Sequence, residues 1–218
     1  MRHIIVDVET IAHPDAGSWV DPVTPDKRLK DPEKIEADLA EKTAARDSNF
    51  ALHPDTCRIV ALGFYVVGQD GDPCCYVMKD EFEEREHLKQ FATLYRTLDT
   101  RNEVRLVTFY GMNFDLPVLM SRAMWLDVDF PELNIDKFSE ASHAKFDVWW
   151  KLSRKGAIKA HGLKFYAKRA GIGTLDKVSG ADIGQLVKDE QWDAVEAHCL
   201  SDIGLTHALA NRIKLLKA

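Results

Sequence analysis

Apolar and polar positions change period several times along the chain, and each change marks an element. Over residues 3–8, Ile4, Val6 and Val8 alternate with His3, Ile5, Asp7 and Glu9, a period of two that predicts a buried strand. Residues 58–67 (RIVALGFYVV) predict a long second strand. The QDGDP turn at 69–73 follows, then a third strand over 75–79. Phe82, Leu88, Phe91, Leu94, Tyr95 and Leu98 recur at helical spacing over 81–98. Residues 104–110 predict a fourth strand, 115–126 a helix and 146–150 a fifth strand. Helices are expected over 162–170, stopped by Gly171, and then over 180–188 and 193–217.

Residues 11–57 break this rhythm, being polar and rich in proline. Within them Asp31-Pro32-Glu33 starts a helix reaching about residue 46, whose only apolar edge is Ile35 and Leu39. The element order predicts an α/β fold. Its mixed five-stranded sheet has a three-strand antiparallel meander on one side, parallel strands on the other, and flanking helices. With no repeat and no dividing linker, residues 1–218 read as one domain with an insertion at about 11–57. The 218 residues, 45% apolar and 29% charged, suit one packed core and exclude a disordered chain or a fibre. Cys57, Cys74, Cys75 and Cys199 form no CxxC pair, which points to free thiols in a reducing cytosol. Asp7 and Glu9 interrupt any signal-peptide core, and no apolar run is long enough for a membrane span, so a cytoplasmic location without a membrane is expected.

The candidate chemistry is acidic. Asp7 and Glu9 flank Val8, so strand periodicity puts both carboxylates on one face. Two such groups repel each other unless a cation joins them, and hard oxygen ligands suit Mg²⁺ or Mn²⁺; the alternative is a strand that ends in solvent after Val6. Asp115 follows the fourth strand, with an ordinary helix cap as its other reading. His198 and Asp202, four apart in HCLSD, share a helical face, as an exposed charge pair would too.

Taken together, these motifs resemble the DEDD superfamily of 3′–5′ exonucleases, and within it the polymerase-B-type branch. Asp7-Val8-Glu9-Thr10 resembles its first motif, residues 114–119 (FDLPVL) the second and residues 198–202 (HCLSD) the third. FDVWWKLS and GLKFYAKRAGI look like the family's penultimate strand and the helix after it. The resemblance implies an RNase H-like fold. It also implies two divalent cations, Mg²⁺ or Mn²⁺, on Asp7, Glu9, Asp115 and Asp202, acting on the attacking water and the leaving oxygen. His198 would orient or deprotonate that water, an imidazole (unperturbed pKa ~6.5) being a better base at neutral pH than a phenol (~10). Two positions depart from the pattern. His198 stands where Tyr is usual, and Tyr110 and Gly111 stand where Asn is usual.

Charge distribution then alters the first impression given by the net −6, which argues against nucleic acid. Residues 143–177 carry nine Lys and Arg against two acids, Asp147 and Asp176. Lys151, Arg154 and Lys155 within this tract are expected to track phosphates, and Tyr110 to stack on a base at a single-stranded 3′ end of DNA or RNA. Asp147 reads as a surface acid at a strand end, with a carboxylate supporting the metal ligands from behind as its other reading, and His143 and His161 read as surface residues. A catalytically impaired nucleic-acid-binding module is the alternative, as is a polymerase- or helicase-associated one, with the 24–47 helix as dock for a replication or repair partner.

Overall fold

The computed structural model describes residues 1–101, 103–139 and 142–216. In chain order the elements are β1 (Arg2–Ala12), α1 (Ala16–Trp19), α2 (Pro32–Asp47), β2 (Cys57–Val66), β3 (Cys74–Val77) and α3 (Glu81–Leu98). There follow β4 (Val104–Val107), α4 (Asp115–Trp125), α5 (Val148–Leu152), α6 (Leu163–Arg169), α7 (Ile183–Lys188) and α8 (Trp192–Arg212). Four strands form one mixed sheet in the order β3-β2-β1-β4, with β1–β2 and β2–β3 antiparallel and β1–β4 parallel. The central β1 is buried on both faces. Ile4, Val6 and Val8 enter a core closed by Leu88 and Phe91 of α3 and Leu116 and Leu119 of α4. Ile5 enters a second core with Leu163 of α6 and Ile203 and Leu209 of α8.

Among the described residues no fifth strand forms. Thr108 and Asp147 make one isolated parallel bridge. Beyond it the Asp147 carboxylate accepts the Trp150 N–H at 2.9 Å and caps α5, so the apolar alternation of 146–150 is overridden by a helix start. The outer edge of β4 is instead met by His143, whose Nδ1 accepts the Leu106 N–H at 3.0 Å. His143 is therefore buried rather than at the surface, and burial, helped by Arg105, pushes its pKa down to about 4 and keeps the ring neutral. His161 is exposed and stacks on Phe165. The last helix stops at Arg212, short of the expected end at Lys217, which lies outside the described residues.

The 11–57 segment leaves and re-enters the sheet at one place, because Ala12 pairs with Cys57. Both of its ends are His-Pro-Asp turns. In each, the histidine carbonyl accepts an N–H three residues on, from Ala16 or Thr56, and its Nδ1 accepts the aspartate N–H. Asp31 caps α2 as expected, and no residue of α2 is buried.

Helix α8 crosses β1 and β2 closely, and Gly63, the cross-strand partner of Asp7, makes this feasible. A Cβ at Gly63 would lie 2.7 Å from Cys199 Sγ and 3.0 Å from Ile203 Cγ1. Gly63→Ala is expected to destabilise the protein by about 1–3 kcal/mol. Cys199→Ala in the same chain should restore part of that loss, as read by chemical denaturation.

Candidate active site

The site begins where β4 stops pairing. The β1–β4 ladder ends at Ile5 and Val107, so on that side the Val8 N–H meets no strand. Asp115, the first residue of α4, takes it instead, with Oδ1 at 3.0 Å. Its carboxylate is thus bonded across to β1 rather than capping its own helix, and it reaches the strand that carries Asp7 and Glu9. The turn that delivers Asp115 is tight. Tyr110 adopts φ +70°, and a Cβ at Gly111 would come within 2.4 Å of Thr108. Glycine is therefore sterically required at position 111.

Asp147 holds that turn from beneath. It is fully buried, not a surface acid. Besides capping α5, it accepts the N–H groups of Tyr110 at 3.2 Å and Met112 at 3.0 Å and the Thr108 hydroxyl at 3.4 Å.

Helix α8 supplies the other wall. His198 Nε2 lies 3.5 Å from Glu9 Oε1, and its Nδ1 lies 2.7 Å from Asp176 Oδ2. Lys164 Nζ stands 2.8 Å from the same oxygen. Cys199 donates to the Asp7 carbonyl at 3.8 Å; its link to Cys75 and its burial push the thiol well up, so it stays protonated. Donor atoms of Asp7, Glu9 and Cys199 lie within 4.8 Å of one another, and so do those of Asp176, His198 and Asp202.

The electrostatics are those of a crowded anion cluster. Burial raises the Asp7 and Glu9 pKa values well above the ordinary range, and repulsion from neighbouring carboxylates, Asp115 and Asp202 among them, adds to it. Asp115 is pushed up to about 7, again chiefly by burial, against the N–H bond from Val8. Burial also raises Asp202, partly offset by His198 and Lys164. Asp7 Oδ2 and Asp202 Oδ1 are buried with no hydrogen-bond partner. Orphaned carboxylate oxygens on groups that repel one another fit divalent cations with oxygen preference.

The structure therefore brings Asp7, Glu9, Asp115, His198 and Asp202 together. Tyr110 stands apart at the turn, exposed and edge-on to Trp149 with ring centroids 4.8 Å apart. Lys151, Arg154 and Lys155 are exposed at and beyond the end of α5, where Arg154, Lys155 and Gly156 all take positive φ. Asp176 was not legible as part of the site. Its one signal is that it and Asp147 are the only acids in the basic tract, and both prove to be hydrogen-bonding centres. Burial opposes ionisation of Asp176, but bonds from Lys164 and His198 overcome it and hold the carboxyl below its usual range.

Raised carboxylate pKa values set a sign. In chelator, the native carboxylates keep protons that the unfolded chain has released. Their contribution to stability is complete below about pH 4 and is lost as pH rises through their native pKa, about 7 for Asp115. Relative to wild type, Asp115→Asn should gain stability by up to about 1.4 kcal/mol per pH unit across that window. Mg²⁺ or Mn²⁺ should raise the wild-type denaturation midpoint at pH 8 and barely change it at pH 5.

Residues 48–218 match the family model described as a predicted 3′–5′ exonuclease related to the exonuclease domain of PolB. Asp7 and Glu9 lie outside that span. A similar solved structure is the family B DNA polymerase of the hyperthermophilic archaeon Pyrobaculum calidifontis, with TM-score 0.61 and 16% identity over 98% of this chain. The chain spans 24% of that polymerase's length. No curated protein sequence matches.

Proposed function

Because the chain belongs to the family of predicted 3′–5′ exonucleases related to the exonuclease domain of PolB, we propose that it removes nucleotides from single-stranded 3′ ends by metal-dependent hydrolysis. The observation that carries this reading is the cluster of four carboxylates, Glu9 and Asp115 buried and Asp7 and Asp202 half-buried, two with orphaned oxygens and all with raised pKa values. Asp7, Glu9, Asp115 and Asp202 would hold two ions, Mg²⁺ or Mn²⁺. Such ions supply Lewis acidity toward the attacking water and the leaving 3′ oxygen.

The chain's own groups do the rest. Val8 N–H fixes the Asp115 carboxylate in direction, so one ligand is oriented before any ion arrives. His198 directs Nε2 toward Glu9, where it can accept a proton from a water at the phosphodiester. Lys151, Arg154 and Lys155 would hold the phosphates, and Tyr110, exposed beside its turn, would stack on a terminal base. DNA and RNA remain equal substrates in this reading, since no residue is assigned to a 2′-hydroxyl. Likeness to a polymerase's fold supports a second reading, a nucleic-acid-binding or polymerase-associated module. There α2, none of whose residues is buried, would face a replication or repair partner. Among the described residues no helix is long and apolar enough to cross a membrane.

With a 5′-labelled single-stranded oligonucleotide and Mn²⁺, the protein should produce a ladder shortened from the 3′ end. Asp7→Ala or Asp202→Ala should reduce the rate by at least ~10²-fold, and His198→Ala by ~10²–10⁴-fold. Binding without a ladder overturns the enzyme reading in favour of the module. Replacing Lys151, Arg154 and Lys155 with Ala should weaken binding and flatten its logarithmic salt dependence by roughly one unit per lost phosphate contact.

A further inference from the structure

We propose that Asp176 is a positioning residue that fixes the His198 imidazole as its Nδ1–H tautomer and presents a bare Nε2 to the carboxylate cluster. Asp176 sits in the segment joining α6 to α7, and that segment is tied down on several sides. Its Oδ1 accepts the Val178 N–H at 2.9 Å, and its own N–H donates to Thr174 Oγ1, which in turn meets Ser201 Oγ of α8 at 3.1 Å. Lys164 of α6 donates to Asp176 Oδ2 and also to the Val178 carbonyl. The second contact of Oδ2 is His198 Nδ1 at 2.7 Å.

This arrangement puts a hydrogen on Nδ1. A carboxylate gripped by an ammonium is ionised and only accepts hydrogen bonds, so the short contact requires the hydrogen on Nδ1. In a neutral ring the other nitrogen is then unprotonated. That nitrogen faces Glu9 Oε1 at 3.5 Å, a separation that admits a single shared proton but no water between the two atoms. His198 is 3% exposed, so the ring is confined and the carboxylate decides which nitrogen serves the site. The tautomer stands independently of the exonuclease reading; its use in hydrolysis rests on that reading.

The test separates the two. Protein labelled with ¹⁵N at its histidines, in chelator near pH 8, should give a His198 signal with the Nδ1–H signature, identified by its loss in His198→Ala. Asp176→Asn should shift it toward a mixture of tautomers. Lys164→Met, which leaves the carboxylate in its turn, should preserve it. In the oligonucleotide assay Asp176→Asn should lower kcat about 10–100-fold with KM unchanged, and Asp176→Glu should recover part of it. In a His198→Ala background Asp176→Asn should add no further loss. The proposal is overturned by an Nε2–H signature in the wild type, or by a signal that Asp176→Asn leaves unmoved. It is also overturned if Lys164→Met scrambles the ring as fully, since the loop would then do the positioning, or if the two losses simply multiply. If the Nδ1–H signature appears in a chain that never shortens the oligonucleotide, Asp176 still sets the ring and the exonuclease reading is what fails.

Discussion

Four carboxylates crowded together where β1 meets α4 and α8, without enough partners, are the constraint around which this protein is arranged. Elsewhere the fold satisfies its buried acids. Glu84, fully buried, is met by the Arg122 guanidinium and the Ile59 N–H. Asp147 collects three backbone N–H groups and a hydroxyl. At Asp7, Glu9, Asp115 and Asp202 the same chain leaves two oxygens bare. A fold that pairs its other buried acids this thoroughly leaves unpaired ones only at this cluster among the described residues, which is what the proposed cation site rests on.

Local geometry sustains that arrangement through small residues at close approaches. Gly63 lets α8 lie near the strand partner of Asp7, and Gly111 lets the turn before Asp115 fold against Thr108. Both glycines are contact requirements of the site's walls. Each wall is also anchored by a further acid, one through Asp147 and the other through Asp176.

What could be read from residues alone was whatever depends on period and spacing. The alternation around Val8 put Asp7 and Glu9 on one face, and the four-residue step from His198 to Asp202 put both on α8. The first four strands and the helices over 81–98 and 115–126 followed from hydrophobic pattern in the same way. The misses at His143 and Asp147 share one cause, a side chain bonding to backbone far away in sequence. His143 takes an N–H of β4, and Asp147 links the 108–112 turn to α5; neither is signalled by its neighbours. The run FDVWW fits a strand and a helix start equally by composition, and only the cap bond decides. Asp176 escaped for a similar reason, since its partners come from α6 and α8.

The pairing of Ala12 with Cys57 bears on how the chain tolerates its large excursion. To the sheet, residues 13–56 are a hairpin loop whose ends happen to be far apart in sequence. Loop-closure entropy grows only logarithmically, so a loop roughly twentyfold longer than a tight turn adds about 3 kcal/mol to the cost of joining the two strands. Both ends also satisfy their own backbone through the His-Pro-Asp turns. The excursion is thus a region where length and content can drift while the register that aligns Asp7 with Gly63 stays fixed.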